Sequence, residues 1–255
     1  KIKIAVDAMG GENSPKKVID GVLKNNKENK NIIYNIFGDK EKIVNFLPSN
    51  YDSDTFNICD TKNKILDTDS PLSAAKKGKD TSMWMTIESV KNNESDVAIS
   101  AGNTGALFVI SKLNLKMIEN IDKPALSAIW PNKKGFNVVL DLGANIECSD
   151  KNLIDFSIMG SSLFKSLYPN NNPIVAILNV GSEELKGNDT IKKAYQELNK
   201  KNNNFNFYGY VEGNQIMDGN VNVIVTDGFT GNVALKTAEG TANFIVNEFK
   251  DSMTS

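Results

Sequence analysis

The stretch VAISAGNTGAL, Val97 to Leu107, passes from a short apolar run into two glycines and three small polar side chains before turning apolar again. It reads as a strand, a tight turn and the opening of a helix. The same alternation recurs along the chain, with short Val- and Ile-rich runs separated by longer amphipathic or polar segments. That is the pattern of strands and crossover helices in an α/β fold with a mainly parallel sheet. It predicts strands at Lys3–Asp7, Asn31–Gly38, Phe56–Cys59, Val97–Ser100, Asn137–Leu142, Ile174–Asn179, Asn206–Val211 and Val221–Thr226. Helices are expected at Pro15–Asn25, Lys40–Asn45, Ser82–Asn92, Thr104–Leu113, Leu153–Leu167, Thr190–Leu198 and Asn232–Phe249. The lysine- and asparagine-rich stretches Lys24–Asn31 and Lys200–Asn206 read as solvated connections.

At 255 residues, 40% of them apolar, the chain has material for one large α/β domain or two small ones, and it is read as a single domain over 1–255. Its 29 basic and 31 acidic residues leave a formal charge of −2 with no long basic block, which argues against nucleic acid as a partner. Cys59 and Cys148 stand far apart with no metal-ligand spacing, so neither a disulfide scaffold nor a metal site is expected. That cysteine usage points to a cytoplasmic compartment, and with no run of about 18 apolar residues and no signal-peptide pattern the chain is expected neither to span a membrane nor to be exported by that route, with contact against a membrane surface left open. Lys1 directly precedes a strand pattern, so an initiator methionine is expected to be lost or left out.

The chain contains no histidine. Ser-His-Asp, Cys-His and His-metal chemistry are thereby excluded, leaving Asp, Glu, Lys, Tyr, Cys, backbone amides and the substrate's own groups. Five strand exits share a different chemistry: DAMGGENSP, SAGNTGAL, DLGANIE, NVGSEELKGN and TDGFTGNVALKT. In an open parallel sheet the ligand lies beyond the carboxyl ends of the strands, where these turns are expected to converge. Glycines let N–H groups approach an anion closely, and helices starting at Thr104 and Asn232 would present unpaired amides and a positive dipole end.

Within those turns Ser100, Gly102, Asn103 and Thr104 offer donors to an oxyanion, the alternative being a plain turn with Asn103 as N-cap. Asp7 holds a polar substrate group or caps its own turn. Gly10 and Gly11 do not form a G-x-G-x-x-G fingerprint, which weakens a dinucleotide reading. Lys186 suits a phosphate or leaving-group contact, whereas Glu183 and Glu184 are read as a solvated helix entry. Asp227 orients a donor or holds a proton. Asn232 and Lys236 fall one helical turn apart, although Lys236 also fits an ordinary surface charge. Asn145, Gly187, Asn188 and Gly228 complete the binding set, and Asn103, Lys186 and Asp227 are the residues singled out for catalysis. Lys76, Lys77 and Lys79 form a small basic patch or a solvated helix start. The cysteines read as small apolar residues, not nucleophiles.

Taken in order, IAVDAMGGENSP, SAGNTGAL, LDLGAN, NVGSEELKGN and VTDGFTGNVALKTAEG resemble the successive signatures of the phosphate acyltransferase (PlsX) family of bacterial phospholipid synthesis. The resemblance implies a three-layer α/β/α fold similar to phosphotransacetylases and to isocitrate and isopropylmalate dehydrogenases. It implies conversion of acyl-[acyl-carrier-protein] and inorganic phosphate into acyl phosphate, without a cofactor. A homodimer is also implied, cytoplasmic but in peripheral contact with the membrane and with a downstream membrane acyltransferase. Glu12 stands where the family usually has Asp. Family members also continue past Asp251–Ser255 with amphipathic helices and a histidine–glycine unit, so a C-terminal truncation is expected. Alternatives are a phosphate acetyl- or butyryltransferase using coenzyme A, a nicotinamide-dependent dehydrogenase, and an inactive phosphate-binding scaffold.

Overall fold

The computed structural model describes residues 1–200 and 204–254; residues 201–203 of the second lysine- and asparagine-rich connection lie outside them. The chain divides into two compact units, Lys1–Met117 and Ile118–Ser255, each built around its own sheet.

The first unit holds β1 (Ile2–Asp7), α1 (Lys16–Glu28), β2 (Ile32–Gly38), α2 (Lys40–Val44), β3 (Phe56–Asp60), α3 (Pro71–Lys76), α4 (Ser82–Lys91), β4 (Val97–Ser100) and α5 (Thr104–Asn114). Its strands run parallel in the order β3-β2-β1-β4. Consecutive apolar residues in β1 and β2 are buried, as a sheet covered on both faces requires. One core cluster joins Ile4, Val6, Tyr34, Ile36 and Phe56 to Ile19 and Val22 of α1. A second packs Met83 and Ile87 of α4 against Ala106 and Ile110 of α5, each pair four residues apart and so on one helical face. The register sets Asp7 directly beside Ser100 at the carboxyl ends of β1 and β4.

The second unit holds β5 (Ser127–Asn132), β6 (Gly135–Leu140), α6 (Asp150–Leu167), β7 (Ile174–Leu178), α7 (Asp189–Lys200), β8 (Asn206–Val211), a 3-10 turn (Gly213–Gln215), β9 (Val223–Val225) and α8 (Gly228–Thr254). Its strand order is β5-β6-β9-β7-β8, parallel except for the β5–β6 hairpin. A capping box between Ser149 and Asn152 starts α6, which buries Leu153, Phe156 and Phe164 against Val138, Leu140, Val175 and Val223. Gly160 lets α6 approach closely, because a Cβ there would lie 2.5 Å from Val223 Cγ1 and 2.7 Å from Leu140 Cδ1.

The predicted α/β class with mainly parallel pairing is observed, and the short helix α3 is not among the predicted elements; three further differences concern the exits, an edge strand and a helix start. The glycine-rich exits divide between two sheets, two following β1 and β4 and three following the adjacent strands β6, β9 and β7, instead of sharing one edge. Strand β5 escaped prediction because Pro131 interrupts its run, and an edge strand is where a proline is tolerated. Helix α8 begins at Gly228, four residues before the expected Asn232, because Asp227 caps it by accepting from Thr230 N at 2.8 Å and Thr230 Oγ1 at 2.9 Å.

Candidate active site

At the first unit's carboxyl edge, Asp7 is 1% exposed and organises both glycine-rich turns. One carboxylate oxygen accepts from Met9 N at 3.1 Å and the other from Ser100 Oγ at 2.7 Å, while Ser100 Oγ accepts from Gly102 N at 3.1 Å. Asp7 therefore acts through the turns it ties together, as its capping alternative implied. Gly10 fills the space between them, since a Cβ would lie 2.7 Å from both Asp7 Oδ2 and Gly102 N. Gly11 has φ +83°, and a Cβ there would sit 2.6 Å from Ala101 O. Both glycines let the backbone of one turn come close to that of the other.

Asn103 caps α5, accepting from Ala106 N at 3.0 Å. Its amide group donates to Asp67 O at 3.1 Å and Asp69 O at 2.9 Å, so both protons are committed to the 67–69 turn. Asp69 is itself held by Leu66 N at 2.7 Å and by Lys77 Nζ at 2.5 Å, and the bond from Lys77 lowers its carboxyl pKa below the usual value. Lys77 thus belongs to this turn, and α3 ends at Lys76. Thr104 and Gly105, as the first two residues of α5, have no acceptor for their N–H groups inside the helix. They carry the positive end of its dipole.

The second unit's edge is built on Asp141, which is fully buried. Its carboxylate accepts from Leu126 N and Ala144 N, both at 3.0 Å, and from Asn145 N at 2.7 Å and Asn145 Nδ2 at 2.8 Å. Asn145 also donates to Pro124 O at 2.7 Å and accepts from Gly228 N at 2.7 Å, joining the β6 and β9 exits. A Cβ on Gly228 would lie 2.7 Å from Asn145 O, and one on Gly231 would overlap Asp141 O. Sequence reasoning quoted Asp141 and Gly231 inside their motifs but gave them no role; an acid at a strand end, followed by a glycine turn, was the available signal.

Lys186 is exposed, and none of the ion pairs among the described residues involves it. Its ammonium is available to an incoming anion. Gly187, at φ +90°, follows it, and a Cβ there would lie 2.4 Å from Asn179 Oδ1. Asn188 accepts from Ile191 N at 2.9 Å and starts α7. A cavity of about 600 Å³ lies against Asn179, Gly187, Asn188, Asp227, Thr230 and Val233, bringing three sequence-predicted residues to one place. Asn232 lies near Gly143, where a Cβ would meet its Cγ at 3.4 Å. Its N–H falls inside α8, so the dipole end expected at Asn232 is at Gly228–Thr230. Lys236 pairs with Glu239 at 2.7 Å on the exposed face of α8, in keeping with its surface-charge alternative. Burial raises the pKa of both thiols, with Asp141 adding to the effect at Cys148 and Glu94 at Cys59.

A family model described as "Fatty acid synthesis protein" matches residues 2–255. The chain is 69% identical over 254 residues to the phosphate acyltransferase of Pelagibacter ubique, covering 99% of this chain and 76% of that protein. To the phosphate acyltransferase of Maricaulis maris it is 42% identical over 258 residues, covering 99% and 73%. Among solved structures, a phosphotransacetylase from Streptococcus pyogenes superposes with a TM-score of 0.70 at 14% identity, covering 95% of this chain and 82% of that one. A branched-chain phosphotransacylase from Enterococcus faecalis gives 0.55 at 14%, covering 93% and 84%. At that identity the structural likeness establishes the fold. The sequence relationship, extending over essentially the whole chain, establishes more: this chain belongs to the phosphate acyltransferase family.

Proposed function

We propose that this acyltransferase moves a long-chain fatty acyl group from acyl-carrier protein to inorganic phosphate, giving acyl phosphate for phospholipid synthesis. The observation that carries the reading is that, in a chain without histidine, each unit taken by itself ends its strands in glycine-rich turns with groups suited to an anion: the first two amides of α5, Thr104 and Gly105, in the first unit and the exposed ammonium of Lys186 in the second. Such a set binds and positions anions instead of shuttling protons.

The chemistry fits those groups. Phosphate near neutral pH is already an anion, so it needs positioning and desolvation more than deprotonation. One of its oxygens attacks the thioester carbonyl carbon, forming a C–O bond. The carbonyl electrons move onto oxygen as the tetrahedral intermediate forms and return as the C–S bond breaks. The carrier thiolate leaves with the bonding pair and, with a thiol pKa of about 8.5, takes its proton from water or from a neighbouring acid. Preorganised donors stabilise the oxyanion. The amides at the start of α5 are assigned to binding an anion in the first unit, with Asn103 holding that helix start in place. Lys186 is assigned to the departing thiolate. Asp227 serves through the cap it gives α8. The step as written needs no cysteine, and burial, which pushes both thiols up, works against either serving as a thiolate nucleophile.

The resemblance adds a homodimer, a cytoplasmic location and peripheral membrane contact, with acyl phosphate passed to a membrane acyltransferase. No helix among the described residues is long and apolar enough to cross a bilayer. The test is to incubate the chain with labelled phosphate and either long-chain acyl-carrier protein or acyl-coenzyme A, trapping acyl phosphate with hydroxylamine. Product from the carrier protein supports the reading. Product only from coenzyme A would replace it with the coenzyme A-dependent reaction, and phosphate binding without product from either donor would support a scaffold.

A further inference from the structure

The side chain that follows β7 has no role in the reading above, and its surroundings give it one. Asn179 is 7% exposed. Its amide nitrogen donates to Gly181 O at 3.1 Å and to Lys186 O at 3.2 Å, so a single carboxamide spans both ends of the segment 181–186. Its oxygen accepts no hydrogen bond among the described residues, and a Cβ on Gly187 would lie 2.4 Å from it, so that only a glycine fits there. Between the two anchored ends the chain turns through a Lys186 N to Glu183 O bond at 3.0 Å. Tyr195 of α7 hydrogen-bonds Glu184. Ser182, Glu183, Glu184, Leu185 and Lys186 are all exposed, so apolar burial contributes little to their placement. The hydrogen bonds at the two ends, with the one from Tyr195 to Glu184 between them, carry the task.

We infer that Asn179 is a positioning residue for Lys186, its carboxamide cross-bracing the 181–186 segment so that the lysine is presented in one geometry. The inference rests on the role proposed for Lys186. A buried amide with both protons used on backbone carbonyls is difficult to replace. Asp keeps the size and removes both donors, placing negative charge against two carbonyl oxygens. The effect reaches chemistry because a displacement of about 1 Å at a reacting group costs on the order of 100-fold in rate.

Asn179→Asp and Asn179→Ala test this against Lys186→Ala and the double variant N179D/K186A. Hydrogen exchange, which needs no turnover, is expected to quicken at least about tenfold for amides 181–187 in both Asn179 variants, with β7 and α8 unchanged. Acyl phosphate formation is expected to fall roughly 10- to 100-fold in kcat with KM for phosphate within about twofold. The double variant is expected to be no slower than Lys186→Ala, because the brace acts through that lysine. Unchanged exchange at 181–187 overturns the inference whatever the activity, as does a double variant whose losses multiply. If the unaltered chain forms no acyl phosphate while Asn179→Asp still loosens the segment, the brace stands and the catalytic reading of Lys186 falls.

Discussion

At the scale of single residues, the sharpest consequences concern Lys186, Gly187 and the two thiols. Lys186 is exposed and unpaired among the described residues, so Lys186→Ala is expected to leave the melting temperature unchanged while turnover falls about 100-fold or more. A variant that folds normally and keeps full activity removes the lysine from the mechanism. Gly187→Ala introduces a Cβ 2.4 Å from Asn179 Oδ1 at a φ of +90°, and is expected to lose both stability and activity. For the cysteines the sign runs the other way. Their folded-state pKa values are raised, so less thiolate is present at any pH below those values than in a free thiol. Alkylation near pH 8 is therefore expected to be slower in the folded chain than in urea, and Cys148→Ser is expected to retain turnover. Asp7, Asn103 and Asp227 were legible as important from their positions at strand ends and helix starts. Capping was already the alternative for Asp7 and Asn103; what became visible only when distant partners were brought beside them is the tie from Asp7 to Ser100, 93 residues away, and the bonds from Asn103 to the 67–69 turn.

At the scale of elements, the start of α5 couples a helix cap to a surface turn. Asn103→Ala removes the acceptor for Ala106 N and the two donations to the 67–69 turn, an expected loss of about 1 kcal/mol or more in urea unfolding. Asn103→Asp keeps the acceptor alone and is expected to fall between. The same turn gives an acid dependence. Asp69 is depressed below its model-compound value of 3.8, so its stabilisation is full above that pH and is lost as pH falls through the folded value. Asp69→Asn is expected to be less stable than the unaltered chain near pH 6 and to show a smaller further decline below about pH 4. In the second unit, Gly160→Ala forces α6 away from β6 and β9 and is expected to cost about 1–3 kcal/mol. Most elements were readable from Val/Ile runs and helical periodicity. Hairpin strand β5, broken by Pro131, and short α3, with too few turns to show a period, were not.

At the scale of the molecule, the alternation of strands and helices disclosed the class of fold but not its division. A run of parallel strands reads alike whether it forms one sheet or two, and the pairing of β1 with β4 and of β6 with β9 is a long-range choice that local pattern does not encode. The glycine-rich exits kept their placement at carboxyl ends in both sheets, which is why the chemistry of the edges was more legible than their count. The reaction proposed for the chain is direct transfer, in which phosphate and no side chain of the enzyme takes the acyl group. Intact-protein mass spectrometry after rapid mixing with long-chain acyl-carrier protein, with and without phosphate, tests it most directly. The expected result is acyl phosphate only when phosphate is present and a chain whose mass never changes. An acyl adduct on the chain, or carrier released in a stoichiometric burst without phosphate, would contradict it.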